Sequence, residues 1–582
     1  MSVRFAFLPL LLILCFACSS DLVEDSSPID SIFVNGNIYT VDPERPRVKA
    51  IAVSEGRIAA LGSNEEIREM TGSKTKIIDL QGQFLMPGFI EGHGHFSGLG
   101  SSLLNLNFLK SQNWDEVVSM VEERARTAEP GEWIIGRGWH QEKWDRTPER
   151  NIHGYPFHES LSAVSPDNPV MLRHASGHSL YANAKAMELA GISRETAAPA
   201  GGEIVRDVEG NAIGVFEERA MRPVMEAHQR YLDELDADEL ERQWYRAIET
   251  AEAECLANGI TSFQDAGSSF TEIERYTRMA ENGELDLRLW AMLRHPYDTM
   301  VNRMEGLRRV GVGNEYFTCR AIKTEVDGAL GAFGAWLLEP YHDKPDFVGQ
   351  NTTEISEVDR IADLALQHDM QLCVHAIGDR ANREVLDIMA DKFSKTEATD
   401  LRWRIEHAQH LNVSDIPRFA ELGVIASMQA VHATSDAPFV EKRLGTERAA
   451  EGAYAWRSLL DAGVVVTNGT DAPVEDVSPL ESFYATVTRR RENPSMEFFP
   501  EQAMSREEAV RSYTLSCAYA AFEEDLKGSL EVGKMADFVV LSQDLLTCSD
   551  EELKAIQVLG TVVDGKVRYA SAGSPLEEGS GE

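Results

Sequence analysis

Eight short apolar runs punctuate the middle of this 582-residue chain, at residues 85–90, 261–264, 287–293, 318–326, 372–374, 403–405, 424–428 and 464–467. Their lengths suit buried strands. Between many of them lie amphipathic stretches of helical period. In 354–368, for example, Ile355, Val358, Ala362, Ala365 and Leu366 follow one helical face. Eight strands alternating with helices predict a (β/α)8 TIM-like barrel. The interval between the first two runs is far too long for one crossover. It must hold a large insertion, about 98–243, over the face where the strands end. Val170, Met171 and Leu172, inside that interval, compete for a place as a barrel strand.

The chain ends read differently. Residues 31–40 suggest a hairpin turning at Asn35-Gly36, and 50–62 repeat that form. Near the other end, 535–541 and 560–568 are again strands with a turn. Strands at both ends predict one small β-sandwich from 30–84 and 528–570, bracketing a barrel at 85–527 and leaving 571–582 as a disordered tail.

The first residues look like a processing segment. Arg4 precedes an apolar run, 5–16, that is too short to span a bilayer, and Ala17-Cys18 is followed by polar residues. The stretch 14–18 resembles a bacterial lipoprotein cleavage box, with Cys15 and Phe16 as atypical occupants. That resemblance implies a signal peptide at 1–18, a lipid on Cys18, a tether at 19–29 and a place in the cell envelope. An ordinary secretory signal with a fortuitous cysteine is the alternative. Ser19 after Cys18 favours the outer membrane by the bacterial sorting tendency. The remaining cysteines, Cys255, Cys319, Cys373, Cys517 and Cys548, are scattered without a CxxC pair, so a disulfide framework or zinc knuckle is not indicated. With 95 acidic against 56 basic residues and a formal charge of -39, the surface repels nucleic acid and anionic membrane. Membrane contact is therefore expected only through the lipid.

Metal-capable side chains fall at the ends of the apolar runs. His93-Gly94-His95 closes the first, and residues two apart in a strand share a side, so both imidazoles can face one ion. Alone, the triplet could also be two surface histidines in a loop, the lesser reading. His375 ends the fifth run, His407 the sixth and Asp471 the eighth. Together they place imidazoles and a carboxylate at the C-terminal ends of barrel strands, where such barrels do chemistry.

These motifs resemble the amidohydrolase superfamily, and more narrowly its family 3 branch of YtcJ-like metal-dependent hydrolases. The resemblance runs from about Asp30 to Tyr569. It is carried by 86–95, 259–266, 375–380, 404–409, 463–473 and 533–538. Glu91 stands where aspartate is common, and Thr470 where serine is usual. The resemblance also implies that Lys323 is converted by CO2 to a carbamate bridging two ions; a lysine paired with Glu325 or Asp327 is the plainer alternative. His93, His95, the Lys323 carbamate and Asp471 would then hold one divalent ion. The carbamate, His375 and His407 would hold a second. Imidazole and carboxylate ligands suit zinc, with iron, manganese or nickel as alternatives and one ion as the simpler case.

The implied reaction is hydrolysis of an amide-type C–N bond in a small molecule, with Asp471 passing a proton from water to the leaving nitrogen. An exported metal-binding lipoprotein without turnover, and an isomerase or decarboxylase on the same fold, are the competing readings. Candidate substrate contacts are His178 and Arg173 in the insertion, Trp139 with Trp144 as an aromatic wall, and His432 after the seventh run. The Gly- and Ala-rich stretch 328–341, with Trp336, is a candidate lid. Trp290, Trp403 and Trp456 read as core. Whether the chain forms a homo-oligomer stays open.

Overall fold

The computed structural model describes residues 28–491 and 495–577. Eight parallel strands form its centre. They are, in chain order, Phe89–Gly94, Ile260–Ser268, Arg288–Leu293, Phe317–Glu325, Gln371–Ala376, Arg404–His407, Ile425–Gln429 and Val466–Gly469. Each hydrogen-bonds to the next. The last is stitched to the first by single contacts: Asp471 N donates to His93 O at 2.8 Å, and His95 N to Ala472 O at 2.6 Å. The result is a nearly closed TIM-like barrel. Its crossover helices follow the expected period; Ile355–Gln367, for example, buries Val358, Ile361, Ala362 and Ala365. Trp290, Trp403 and Trp456 are buried, as are Cys255, Cys319, Cys373 and Cys517, all unpaired thiols.

The first apolar run is split rather than continuous. Phe84–Pro87 pairs with Phe538–Leu541 in a flanking sheet, and the barrel strand begins only at Phe89. Pro87 has no N–H to extend a ladder. Gly88 permits the crossing, since a Cβ there would lie 2.2 Å from the Thr261 side chain of strand two.

A four-stranded and a six-stranded sheet flank the barrel, built from both chain ends. They share one core: Phe33, Ile51 and Ile58 from the first meet Leu85, Phe538 and Val562 from the second. The expected hairpin at Asn35-Gly36 does not form. Ser31–Val34 pairs with Ala50–Ser54 and Lys76–Asp79, whereas Asn37–Tyr39 pairs with Arg47–Val48 and Phe84–Pro87. Asn35, at φ 57°, turns a corner between the two sheets, and its N–H donates to Asn64 Oδ1 at 2.7 Å. The turn chemistry was legible, but not which partner each arm would take. The hairpin at Glu55-Gly56 does form. The segment 571–577, expected to be disordered, is packed instead: Leu576 is buried in this shared core.

Between strands one and two stands a separate six-stranded sheet. Its order is Gly202–Arg206, Ala212–Glu218, Ser179–Ala182, Val170–His174, Ile134–Trp139 and Leu106–Asn107. The competing strand at Val170 belongs to this sheet, not to the barrel. Helices Phe96–Leu104 and Ala237–Ala257, which overlap the ends of the expected insertion, pack on each other beside the barrel. The processing segment, including Cys18, lies outside the described residues. Among the described residues no helix is long and apolar enough to cross a membrane.

Candidate metal centre

The strand ends bring the expected ligands together. Asp471 Oδ1 lies 3.2 Å from His95 Nε2 and 3.6 Å from His93 Nε2. The ring of His407 stands 4.7 Å from that of His93 and 4.5 Å from that of His375. His93, His95 and Asp471 form one group able to share an ion; His407, His432 and Asp471 form a second. His407 and Asp471 both have positive φ, at 74° and 57°. Non-glycine residues held there carry backbone strain of about 1 kcal/mol or more, which surrounding structure must enforce.

What enforces it is a layer of buried partners beneath the ligands. His93 Nδ1 donates to Glu406, a carboxylate also gripped by Arg404 Nε at 2.7 Å. Arg404 in turn donates to Gly92 O and Ser427 Oγ, each at 2.8 Å. His407 Nδ1 donates to Gln429 Oε1 at 2.7 Å. Holding Nδ1–H this way leaves Nε2 with a free lone pair, the form a metal ligand needs. Burial pushes the His93 imidazole down to about 4 and those of His375 and His407 well below the ordinary range, so all three are neutral near pH 7. His432 is held the other way round. Gln409 Nε2 donates to its Nδ1 at 3.1 Å, so its Nε2 carries the proton and points toward Asp471 Oδ2, 4.0 Å away. In that tautomer His432 is a hydrogen-bond donor; a ligand role beside His407 and Asp471 would need the proton on Nδ1 and the Gln409 amide turned over.

The residues fit a divalent ion. His93 Nε2, His375 Nε2 and Asp471 Oδ1 are buried and have no hydrogen-bond partner among the described residues. Each such orphan costs about 1–3 kcal/mol. A cation held by His93, His95 and Asp471, whose ligand atoms lie within 4.8 Å of one another, would satisfy the His93 lone pair and the carboxylate at once; His375 falls in neither of the two groups. Lys323 is buried beside them, and its ammonium is destabilised by burial and by the Arg294 charge. It makes no ion pair among the described residues. Glu325 pairs with Arg294, and Asp327 accepts from the backbone of Trp336, Ile377 and Gly378 at 2.8–2.9 Å.

Above this floor opens a cavity of about 650 Å³. The insertion supplies its far wall through Arg137, His140, Arg173 and His178. His178 donates to Glu218 at 3.2 Å; burial opposes its charge, but that carboxylate wins and raises the imidazole to about 9. Trp139 does not face the cavity. A bulge at Gly138, whose φ is 99°, breaks the alternation after Arg137 and turns Trp139 into the insertion's own core, where its Nε1 donates to Leu172 O at 2.9 Å. Trp144 packs in the same core. The aromatic surface comes instead from Phe439, stacked on His140 at 5.7 Å. The stretch 329–332 also lines the cavity, while Trp336 is pinned by Asp327.

The residues that sequence reasoning missed are the supports. Glu406 had a signal: Arg404 and Glu406 are two charges, two apart, in a wholly buried strand, so they must pair with each other on one face. Gln429, Glu218 and Phe439 had none. Glu91 and Thr470, noted only as departures, touch each other. Glu91 accepts from Thr470 N at 2.6 Å and from Thr470 Oγ1 at 3.0 Å, locking the end of strand eight against strand one.

Known proteins are similar to this chain in sequence and fold. The chain is 31% identical over 551 residues to the putative amidohydrolase YtcJ of Bacillus subtilis, covering 93% of this chain and 99% of that one. It is 30% identical over 560 residues to the N-substituted formamide deformylase of Arthrobacter pascens, covering 94% and 99%. The crystal structure of an uncharacterized metal-dependent hydrolase from Pyrococcus furiosus superposes with a TM-score of 0.68 at 26% identity, over 89% of this chain and 100% of that one. The sequence profile of the amidohydrolase family matches residues 76–569. With barrel, strand-end ligands and full-length relatives in agreement, the chain belongs to the amidohydrolase family and is a metal-dependent hydrolase acting on carbon–nitrogen bonds.

Proposed function

We propose that the protein hydrolyses the amide-type bond of a small N-acyl or N-formyl amine. The observation that carries this reading is the approach of Asp471 Oδ1 to within 3.2 Å of His95 Nε2 and 3.6 Å of His93 Nε2, beside a cavity lined by His95, His375, His407 and Asp471. The similarity to a formamide deformylase supports the choice of bond. His93, His95 and Asp471 would hold one ion, zinc by ligand type, joined by a carbamate on Lys323; the carbamate, His375 and His407 would hold a second. As a neutral amine, Lys323 adds to CO2 through a new N–C bond and releases one proton. When bound, the ion supplies Lewis-acid polarisation of the carbonyl and lowers the pKa of water.

The side chains do the rest. Asp471 accepts the proton of the attacking water and returns it to the departing nitrogen, so amide plus water gives carboxylic acid and amine. His432, protonated on Nε2, and cationic His178 offer donors to the oxygen that gains charge. Glu406 and Gln429 keep His93 and His407 from turning.

The test is elemental analysis of the purified protein together with hydrolysis of a panel of N-formyl and N-acyl amines, with and without added bicarbonate. One to two equivalents of bound metal and metal-dependent turnover are expected. A folded protein that holds no metal under any loading condition would end this reading. Turnover without bicarbonate dependence, from a protein with a single ion, would remove the carbamate alone.

We also propose that the chain is exported and held at the cell envelope by a lipid on Cys18; the support is the apolar run 5–16 followed by Ala17-Cys18. Cys18→Ser is expected to move the protein from the membrane fraction to the soluble one. Unchanged membrane association would refute the anchor.

A further inference from the structure

The cations around the cavity divide into two kinds. Lys143 pairs with Glu475 at 2.8 Å, His178 with Glu218 at 3.2 Å, and Arg294 with Glu325. Arg137 and Arg173 have no such partner: among the described residues, neither has a carboxylate within ion-pair distance. Arg137 Nη2 donates only to the Ala175 carbonyl, at 2.8 Å. Arg219, also in the lining, makes no ion pair among the described residues either and donates to Thr352 O at 3.0 Å, but Arg137 and Arg173 stand on neighbouring strands, and in a chain with 95 acidic residues against 56 basic ones that pair calls for a cause.

Their placement is specific. Arg137 lies on Ile134–Trp139 and Arg173 on Val170–His174, neighbouring parallel strands of the insertion's sheet, where the two are register partners. In-register residues on adjacent strands project from the same face, so two guanidinium groups stand side by side. Like charges in that position repel. Burial lowers the pKa of both groups; on Arg137 the charge of Arg173 adds to it, while the carboxylates of Asp471 and Glu475, beyond ion-pair distance, oppose it. The arrangement is unfavourable alone and becomes favourable once an anion lies between the two. Planar guanidinium groups match carboxylate oxygens in geometry as well as charge. Both arginines line the cavity whose floor carries His95 and Asp471.

We propose that Arg137 and Arg173 form a carboxylate-binding subsite, so that the substrate is an amide carrying a carboxylate, as an N-acyl or N-formyl amino acid does. The subsite rests on the amidohydrolase reading above and narrows its substrate class. It holds the distal anion on the insertion while the scissile bond lies over the strand ends. Fixing the substrate at two separated points is also what orients the bond for attack.

The test compares N-formyl amino acids with the matching N-formyl alkylamines, which carry hydrogen in place of the carboxylate, on the metal-loaded full chain. The carboxylated member of each pair should have a kcat/KM higher by about ten- to one-hundred-fold, as loss of a charged hydrogen-bonding partner costs. In Arg137→Gln and Arg173→Gln that ratio should fall toward one, mainly through KM, and Arg137→Lys should restore only part of it. Equal kcat/KM within the pairs, or a preference untouched by both substitutions, overturns the subsite and leaves the hydrolase reading standing. If neither member is hydrolysed, the hydrolase reading is what has failed. Calorimetric titration of the same protein with the N-formyl amino acid then decides the subsite: binding weakened in Arg137→Gln supports it, and no binding, or binding unchanged in both variants, overturns it.

Discussion

Asp471→Asn is expected to abolish hydrolysis, lowering kcat by about a thousand-fold or more. The substitution is nearly isosteric, yet among the described residues it removes the only carboxylate that approaches His93, His95 and His432 together. An amide neither accepts the proton of water nor balances a cation's charge, so both duties fail at once. The fold should survive, because Asp471 N, the group that closes the barrel on His93 O, is backbone and is retained. Steady-state kinetics at saturating metal, with a circular dichroism spectrum beside them, makes the comparison. Full turnover in a folded Asp471→Asn protein would exclude Asp471 as the proton carrier. It would point to a lyase or isomerase chemistry that needs no activated water.

The second large effect is expected beneath the site. Arg404 and Glu406 are fully buried, and Glu406 also holds His93. Removing one partner of such a pair strands the other charge in a medium that cannot solvate it, at a cost of about 3–5 kcal/mol. Arg404→Met should therefore destabilise the protein by about that amount in urea unfolding. Glu406→Gln should destabilise it too, and should further lower metal affinity by about 10–100-fold, since His93 loses the carboxylate that fixes its tautomer. The double variant Arg404→Met/Glu406→Gln strands no charge, so it should be more stable than the sum of the two losses predicts. Strict additivity would show that the two residues act independently. The ion pair would then not be what positions His93.

These supports mark the boundary of what the chain's order alone reveals. The candidate ligands were legible because a strand end is a local feature. An apolar run, a change of composition and a histidine or aspartate all fall within a few residues, as in 86–95 and 464–471. The partners were not, because each pair lies far apart in the chain. Glu406 meets His93 across 313 positions and Thr470 meets Glu91 across 379. No local pattern encodes such contacts; closure of the barrel creates them. Val170, Met171 and Leu172 show the same limit, since a short apolar run is equally suited to a barrel strand or to the insertion's sheet.

Trp139 makes the point inside a single strand. Its place in Ile134–Trp139 could be guessed, but alternation would put it on the same face as Arg137, two residues before. A bulge at Gly138 turned Trp139 inward and left Arg137 toward the cavity. The corner at Asn35-Gly36 is the same lesson for turns: the dipeptide set the backbone, and the competing strands set the pairing. The order of residues alone set the succession of strands and helices and the candidate ligands at their ends, since backbone periodicity and side-chain chemistry act over short spans. What only the tertiary structure decided was which imidazole nitrogen is free, which charges are paired and which face meets the substrate. Those depend on burial, and burial exists only once distant segments have excluded water from between them.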